Sequence, residues 1–209
     1  MDPVVYEKER GSREALPEAI VIPRRPMDLW LSPYDARVRA LREGGALGYA
    51  SGSSPFGTWM AASYGDHLIS LRFIENEEAG IAKLRMEWPN NTLSPSSETE
   101  RLLEKSIDQP SEVPILAIGT PFQLTIWEFL RRSRSATTMT YGEVARAIGR
   151  PNAARPVGQA VGANNIALLI PCHRVISRGK LTGYRWGLDR KKALLAWELS
   201  RRDPLEMPF

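Results

Sequence analysis

The stretch TYGEVARAIGRPNAARPVGQAVGANNIALLIPCHRV, residues 140–175, decides how the rest of the chain is read. Thr140 followed by Glu143 is a capping box, in which the hydroxyl can accept from a first-turn N–H and the glutamate from the N–H of the cap residue. The helix it opens places Tyr141, Val144, Ala145 and Ile148 on one face, and Gly149 stops it. After a short Arg-Pro-Asn turn, AARPVGQAVGANN reads as a further helix rich in glycine and alanine. Pro156 fixes its own φ and lacks an N–H, which suits the first helical position and puts Arg155 at the helix mouth. Two short helices joined by a tight turn, the second with small residues at Gly158 and Gly162, describe a helix-turn-helix. Many helical pairs fit that description, so the pattern alone does not name a partner.

Just upstream, Thr120-Pro121-Phe122-Gln123 supplies another cap, with proline at the first helical position and glutamine at the third. The helix it opens carries Phe122, Ile126, Phe129 and Leu130 on one stripe. Farther back the pattern changes. FGTWMAASY and HLISLRFIE flank the two-residue turn Gly65-Asp66 and read as a hairpin, with Ile69, Leu71 and Phe73 alternating on one face. A helix over 79–88, a polar loop and a helix near 98–107 complete a small unit with no cluster of ionisable groups that suggests chemistry. Residues 1–45 are rich in proline and charge and read as tail or linker, with one short helix at 34–41. The expected class is α+β: a small N-terminal α/β domain over 46–115, then a mainly helical helix-turn-helix domain over 116–203.

Composition bounds the function. No apolar run approaches 18 residues, which argues against a membrane span, and the first residues lack an apolar signal core, so a cytoplasmic protein is expected. Residues 1–120 carry 13 basic and 18 acidic side chains and residues 121–209 carry 15 and 6, so a net −5 precedes a net +9. A basic block beside an acidic one suits a nucleic-acid partner for the C-terminal half, although a solvated charged surface explains the charge equally well. One cysteine excludes an internal disulfide framework and a Cys-rich zinc site.

That cysteine is Cys172, within Pro171-Cys172-His173-Arg174-Val175 and behind the apolar run IALLI. A lone cytosolic cysteine is by default a small buried hydrophobe. Its neighbours argue otherwise, since an adjacent imidazole and cationic surroundings can turn a thiol into a nucleophile. His173 is next in sequence, so the two side chains need a bridging water or a backbone turn to communicate. A third group should orient the imidazole. Glu198 is the candidate, because Leu194 and Leu195 at i−4 and i−3 put it on the apolar face of LDRKKALLAWEL. The alternative buries Trp197 and leaves Glu198 in solvent. Between Cys172 and that helix, ISRGKLTGYRWG reads either as the wall of a flat pocket or as a connecting hairpin.

GTPFQLTIWEFLR, TYGEVARAIGRPNAARPVGQAVGANN and LLIPCHRVISRGKLTGYRWGLDRKKALLAWE together closely resemble the O6-alkylguanine-DNA alkyltransferases, especially the C-terminal half of the bacterial Ada proteins. The resemblance runs from about residue 118 to 198 and extends weakly back through SPFGTWMAASYGDHLISLRFIE. It implies a ribonuclease-H-like N-terminal domain and a winged-helix-like C-terminal one. It further implies DNA repair by single-turnover transfer of an alkyl group from O6-alkylguanine in double-stranded DNA to Cys172, with no cofactor.

By the same resemblance His173 would act as base through a water, Glu198 would hold the imidazole, and Asn164 would fix the active-site turn. Tyr141 would help rotate the DNA phosphate and donate to the flipped base. Arg155 would fill the space that the base leaves, and Gly158, Gly162 and Arg174 are expected at the DNA. Val175, Tyr184, Arg185 and Trp186 would line the base pocket. A base hidden in the duplex must be extruded before its O6 is reached, at a cost of a few kcal/mol that an intercalating side chain partly offsets.

Some relatives bind zinc in the N-terminal domain. With one cysteine and only His67 besides His173, no metal is expected in this chain. Position 156 is proline where the family more often has alanine, and the metal-binding and transcription-factor domains of Ada are missing. A monomer is expected. Two other classes compete: a protein that binds alkylated DNA without transfer, which lacks the cysteine, and a Cys-His hydrolase, which has no use for Arg155.

Overall fold

The computed structural model describes residues 28–181 and 183–201. In chain order its first half contains β1 (Leu29–Leu31), α1 (Ala36–Glu43), β2 (Gly45–Ser54), β3 (Gly57–Tyr64), β4 (His67–Phe73), α2 (Glu77–Glu87), β5 (Asn91–Pro95) and α3 (Ser97–Asp108). The second half contains β6 (Leu116–Ile118), α4 (Pro121–Arg132), β7 (Met139–Thr140), α5 (Tyr141–Ala147), α6 (Ala154–Gly162), β8 (Val175–Ile176) and α7 (Leu188–Ser200).

The hairpin turns at Gly65, whose φ of +58° suits a residue without a Cβ. It belongs to a four-stranded sheet of order β4-β3-β2-β5, antiparallel except for β5, which runs parallel to β2. β5 falls in the stretch expected to be a polar loop; its exposed and half-buried polar side chains hid it. The alternation expected in β4 is also corrected. The register slips opposite Ala62 and Ser63 and leaves Ile69 as an extra residue. Such a bulge reverses the side-chain parity across it. Ile69 therefore packs with Leu47, Met60 and Leu84 on the α1/α2 side. Leu71 and Phe73 face the other way, into the cluster that contains Ile126 and Cys172. β4 is consequently buried on both faces.

Residues 28–45 are not linker. β1 pairs in parallel with β6, eighty-odd residues later, and Leu31, Val38 and Leu41 are buried. The expected short helix is α1, capped by Asp35, which accepts from the N–H of Arg37 at 2.8 Å. Asp28 pairs with Arg131 on α4 at 3.2 Å, with both side chains under 5% exposed. A three-residue parallel strand shows no period, and its partner is too distant for local patterning to reveal it. The part of the tail over 1–27 lies outside the described residues, as do positions 202–203 of the C-terminal domain.

The two halves share one core. Phe56, Trp59, Leu71 and Phe73 from the sheet pack with Ile126, Trp127 and Leu130 of α4 and Val157 of α6. At the outer edge of β4, Leu71 donates to the carbonyl of Asn165 and accepts from Ala167, at 3.0 and 2.7 Å. The sheet thus holds the segment that leads to Cys172.

Both capping boxes form as expected, at Thr120 with Gln123 and at Thr140 with Glu143. Gly149 ends the second helix with φ +72°. α6 departs from expectation by two residues. It begins at Ala154, so Arg155 is its second residue and Pro156 its third. The first intrahelical bond runs from the N–H of Val157 to Ala153, and the N–H groups before it have no partner in the helix. A proline at any of the first three positions therefore costs no hydrogen bond.

Candidate active site

From the end of α6 the chain doubles back through Asn164–Ile170, with Leu168 in the left-handed region at φ +62°. A branched aliphatic residue held there indicates a backbone constrained by its surroundings. Asn164 supplies the constraint. It is buried, its Oδ1 accepts from Ile166 at 2.9 Å, and its Nδ2 donates to the carbonyls of Ile166 and Ile170 and to Cys172 Sγ at 3.2 Å. One amide side chain thus ties the turn to the thiol.

Cys172 opens a single 3-10 turn over Cys172–Arg174 and is 3% exposed. Burial pushes its thiol up to about 11, against weaker opposition from the Asn164 hydrogen bond and the charges of Lys191 and Arg185. The cationic surroundings act in the expected direction, and desolvation of a thiolate outweighs them here.

His173 is fully buried, and its Nε2 lies 2.7 Å from Glu198 Oε1. Burial lowers the His173 pKa despite the opposing carboxylate, so the ring is neutral at pH 7. Burial alone would raise Glu198, but its hydrogen bonds and charge interactions with His173 and Arg174 hold it at about 2. With Glu198 ionised, Nε2 carries the proton and donates, which leaves Nδ1 as the basic nitrogen. Nδ1 is buried and has no hydrogen-bond partner among the described residues. Glu198 itself is 2% exposed, which settles the choice between it and the half-buried Trp197.

Arg174 does not face outward to DNA. Its Nε and Nη2 donate to Glu198 at 2.8–3.1 Å, and its Nη1 donates to the carbonyl and hydroxyl of Ser133. The backbone N–H of Ala136 gives Glu198 a further donor at 2.9 Å. The place at the DNA expected for this arginine from the family resemblance is therefore corrected: it is buried against Glu198 and Ser133.

The remaining candidates gather around the thiol or stand on the surface of α6. Tyr141 is half-buried over Gly158, where a Cβ would come 3.7 Å from its ring. Val175 is buried beside Cys172. The Tyr184 ring meets His173 edge-on, with centroids 6.4 Å apart, and its hydroxyl is buried without a hydrogen-bond partner among the described residues. Trp186 packs edge-on to Tyr184 at 5.3 Å. Arg185 is exposed, donates to the carbonyl of Asn164 at 3.1 Å and lies over the Trp186 ring. Residues 184–186 thus form a wall beside His173. Arg155 and Gly162 are exposed on α6 and belong to the surface instead.

Two further residues were not anticipated. Lys191 is fully buried, and its ammonium donates to the carbonyls of Val175 and Gly183 at 2.6 and 2.9 Å, joining the two sides of the 176–183 loop. Its spacing from Leu194 and Glu198 along one helical face was a signal available in the sequence. Arg190 reaches across to the sheet, as described below. Among the described residues no group of three or more His, Cys, Asp or Glu side chains is placed to hold a metal ion.

Comparison with known proteins places this geometry. The family model described as "6-O-methylguanine DNA methyltransferase, DNA binding domain" matches residues 121–200. A methylated-DNA–protein-cysteine methyltransferase of Mycobacterium tuberculosis H37Rv is 39% identical over 156 residues, which span 73% of this chain and 93% of that protein. The bifunctional transcriptional activator/DNA repair enzyme Ada of Escherichia coli K12 is 32% identical over 176 residues, 79% of this chain and 50% of Ada. The crystal structure of Mycobacterium tuberculosis OGT in complex with DNA superposes with a TM-score of 0.59 at 38% identity, covering 75% of this chain and 95% of that one. Identity at this level over nearly the full length of a curated relative shows that the chain belongs to the methylated-DNA–protein-cysteine methyltransferase family.

Proposed function

We propose that this protein repairs DNA by moving the alkyl group of O6-alkylguanine onto Cys172, once per molecule. The observation that carries the reading is the buried thiol beside an imidazole whose Nε2 is locked to an ionised Glu198, leaving Nδ1 without a partner. Cys172 Sγ forms a bond to the alkyl carbon as the carbon–O6 bond breaks. The thiol proton passes through a water to His173, and guanine leaves with its O6 freed and takes up a proton. Tyr141 and the Tyr184 hydroxyl face the base, and Val175, Arg185 and Trp186 complete its pocket. The thioether is stable to water, so the protein is not regenerated and no cofactor takes part.

Arg155 takes the place of the extruded base. Its position in the first turn of α6, exposed and with Gly158 and Gly162 behind it on the helix, supports that role. The partner is double-stranded DNA carrying the lesion, met by the basic C-terminal half. No helix among the described residues is long and apolar enough to cross a membrane. The protein acts as a cytoplasmic monomer. Its two domains are ribonuclease-H-like and winged-helix-like; the antiparallel β2–β4 meander joined by a parallel β5 supports the first assignment.

Incubation with a duplex carrying labelled O6-methylguanine tests the proposal. Label transferred to protein supports it. Binding without transfer would assign the chain to lesion recognition alone, and the absence of both transfer and binding would point to a Cys-His hydrolase.

A further inference from the structure

The N-terminal sheet carries no chemistry, yet it meets the wall beside His173 through Arg190 and through the Phe73 ring. Arg190 lies in the first turn of α7. Its Nε donates to the carbonyl of Phe56 at 2.9 Å, and its Nη1 donates to the carbonyl of Trp186 at the same distance. Its guanidinium carbon sits 5.1 Å from the centre of the Phe73 ring. The hairpin tip between β2 and β3 makes room for this. Gly57 has φ +114°, and a Cβ there would come 3.1 Å from the guanidinium. The Phe56 ring then meets Trp197 of α7 edge-on at 5.7 Å. Beyond the guanidinium the contacts are aromatic: Phe73 to Trp186 at 6.1 Å, Trp186 to Tyr184 at 5.3 Å, and Tyr184 to His173 at 6.4 Å.

We infer that Arg190 is a positioning residue for the base pocket, tying residues 184–187 to the β2–β3 hairpin so that Tyr184 and Trp186 stand in place before the lesion arrives. A guanidinium suits the task because its planar fork donates in two directions at once, here to two segments far apart in the chain. A wall fixed in advance spares the ordering cost that binding would otherwise incur. The sheet half thus contributes to recognition of the base through a contact that touches neither base nor thiol.

This inference rests on the alkyl-transfer reading, so wild-type protein is measured first; failure of wild type to take the label would sink that reading and not this one. The test is single-turnover transfer from a short single-stranded oligonucleotide carrying O6-methylguanine, at increasing oligonucleotide concentration. Arg190→Met should raise the half-saturating concentration about tenfold or more, the scale of a lost hydrogen bond to a charged group. The saturated rate should stay at the wild-type value, and so should affinity for the same strand with plain guanine. Arg190→Lys keeps the charge but not the fork, and should give an intermediate half-saturation; it carries the test if the methionine variant does not fold. An unchanged half-saturating concentration would overturn the inference, as would a saturated rate that falls with it.

Discussion

Two buried arginine–carboxylate pairs lie within this core, and they do different work. Arg131 meets Asp28 at 3.2 Å and also donates to the carbonyls of Pro110, Val113 and Leu169. Arg174 meets Glu198 at 2.8 Å and also donates to Ser133. Each guanidinium therefore holds several segments together. The difference lies in what else the carboxylate touches. Asp28 accepts from a backbone N–H, that of Ile115. Glu198 accepts from an imidazole whose other nitrogen has no partner and whose chain neighbour is the thiol. The same ion pair is structural where its bonds end on backbone, and on the proposed function it joins a relay where one of them ends on a titratable ring.

The largest effect expected from this contrast is on stability. Asp28→Ala leaves a buried guanidinium without its counter-charge and should cost about 3–5 kcal/mol in chemical denaturation, the usual scale for breaking a buried pair. The transfer rate of the molecules that remain folded should match wild type. A surface-like loss of a few tenths would show that residues 28–43 are the linker their composition suggests.

Glu198→Gln should do the reverse. Transfer should slow roughly tenfold or more, about 1.4 kcal/mol of barrier, while affinity for undamaged duplex is kept. An unchanged rate in a folded variant would remove Glu198 from the relay.

The pH profiles sharpen the same point. His173 has a pKa lowered from its ordinary 6.5 and serves as base when neutral, so transfer should hold through neutrality and fall only below that value. The Glu198 carboxylate opposes this lowering, so in Glu198→Gln the acid limb should move to still lower pH. On the stability side, Glu198 sits at about 2 in the folded protein against an ordinary 4.5. A group depressed in this way stabilises the fold above about 4.5 and loses that contribution as pH falls towards 2. An acid limb that lies above 6.5 would contradict the account of His173.

A third arginine, Arg155, stands exposed and gives the smallest effect. Arg155→Ala should impair repair of a lesion in duplex DNA more than transfer from free O6-benzylguanine, where no base is extruded. If Arg155 only contacts a phosphate, binding to all duplexes should weaken alike and the salt slope should drop by about one unit. An equal loss on duplex and free base would mean that it does not fill the stack.

The contrast between the pairs also marks what could be read from sequence. Features set by a few neighbouring residues were legible: the caps at Thr120 and Thr140, the turn at Gly65, and the Cys172-His173 step. Glu198 was legible because its apolar helical neighbours share its face. Arg174 was not, since nothing local distinguishes a buried arginine from a surface one; its burial depends on Ser133 and Glu198 arriving from other elements. Asp28 and β1 were hidden for the same reason. The bulge at Ile69 and the start of α6 at Ala154 are shifts of one or two residues, set by packing rather than by propensity.

The central claim is that Cys172 is a stoichiometric acceptor, and counting tests it most directly. A limiting amount of protein is incubated with excess O6-methylguanine duplex, the restored guanines are counted, and the protein is digested and mapped by mass spectrometry. One guanine should be restored per protein molecule, with one added methyl, on the peptide that contains Cys172. More than one guanine restored per molecule, or a methyl found on any other residue, would contradict it.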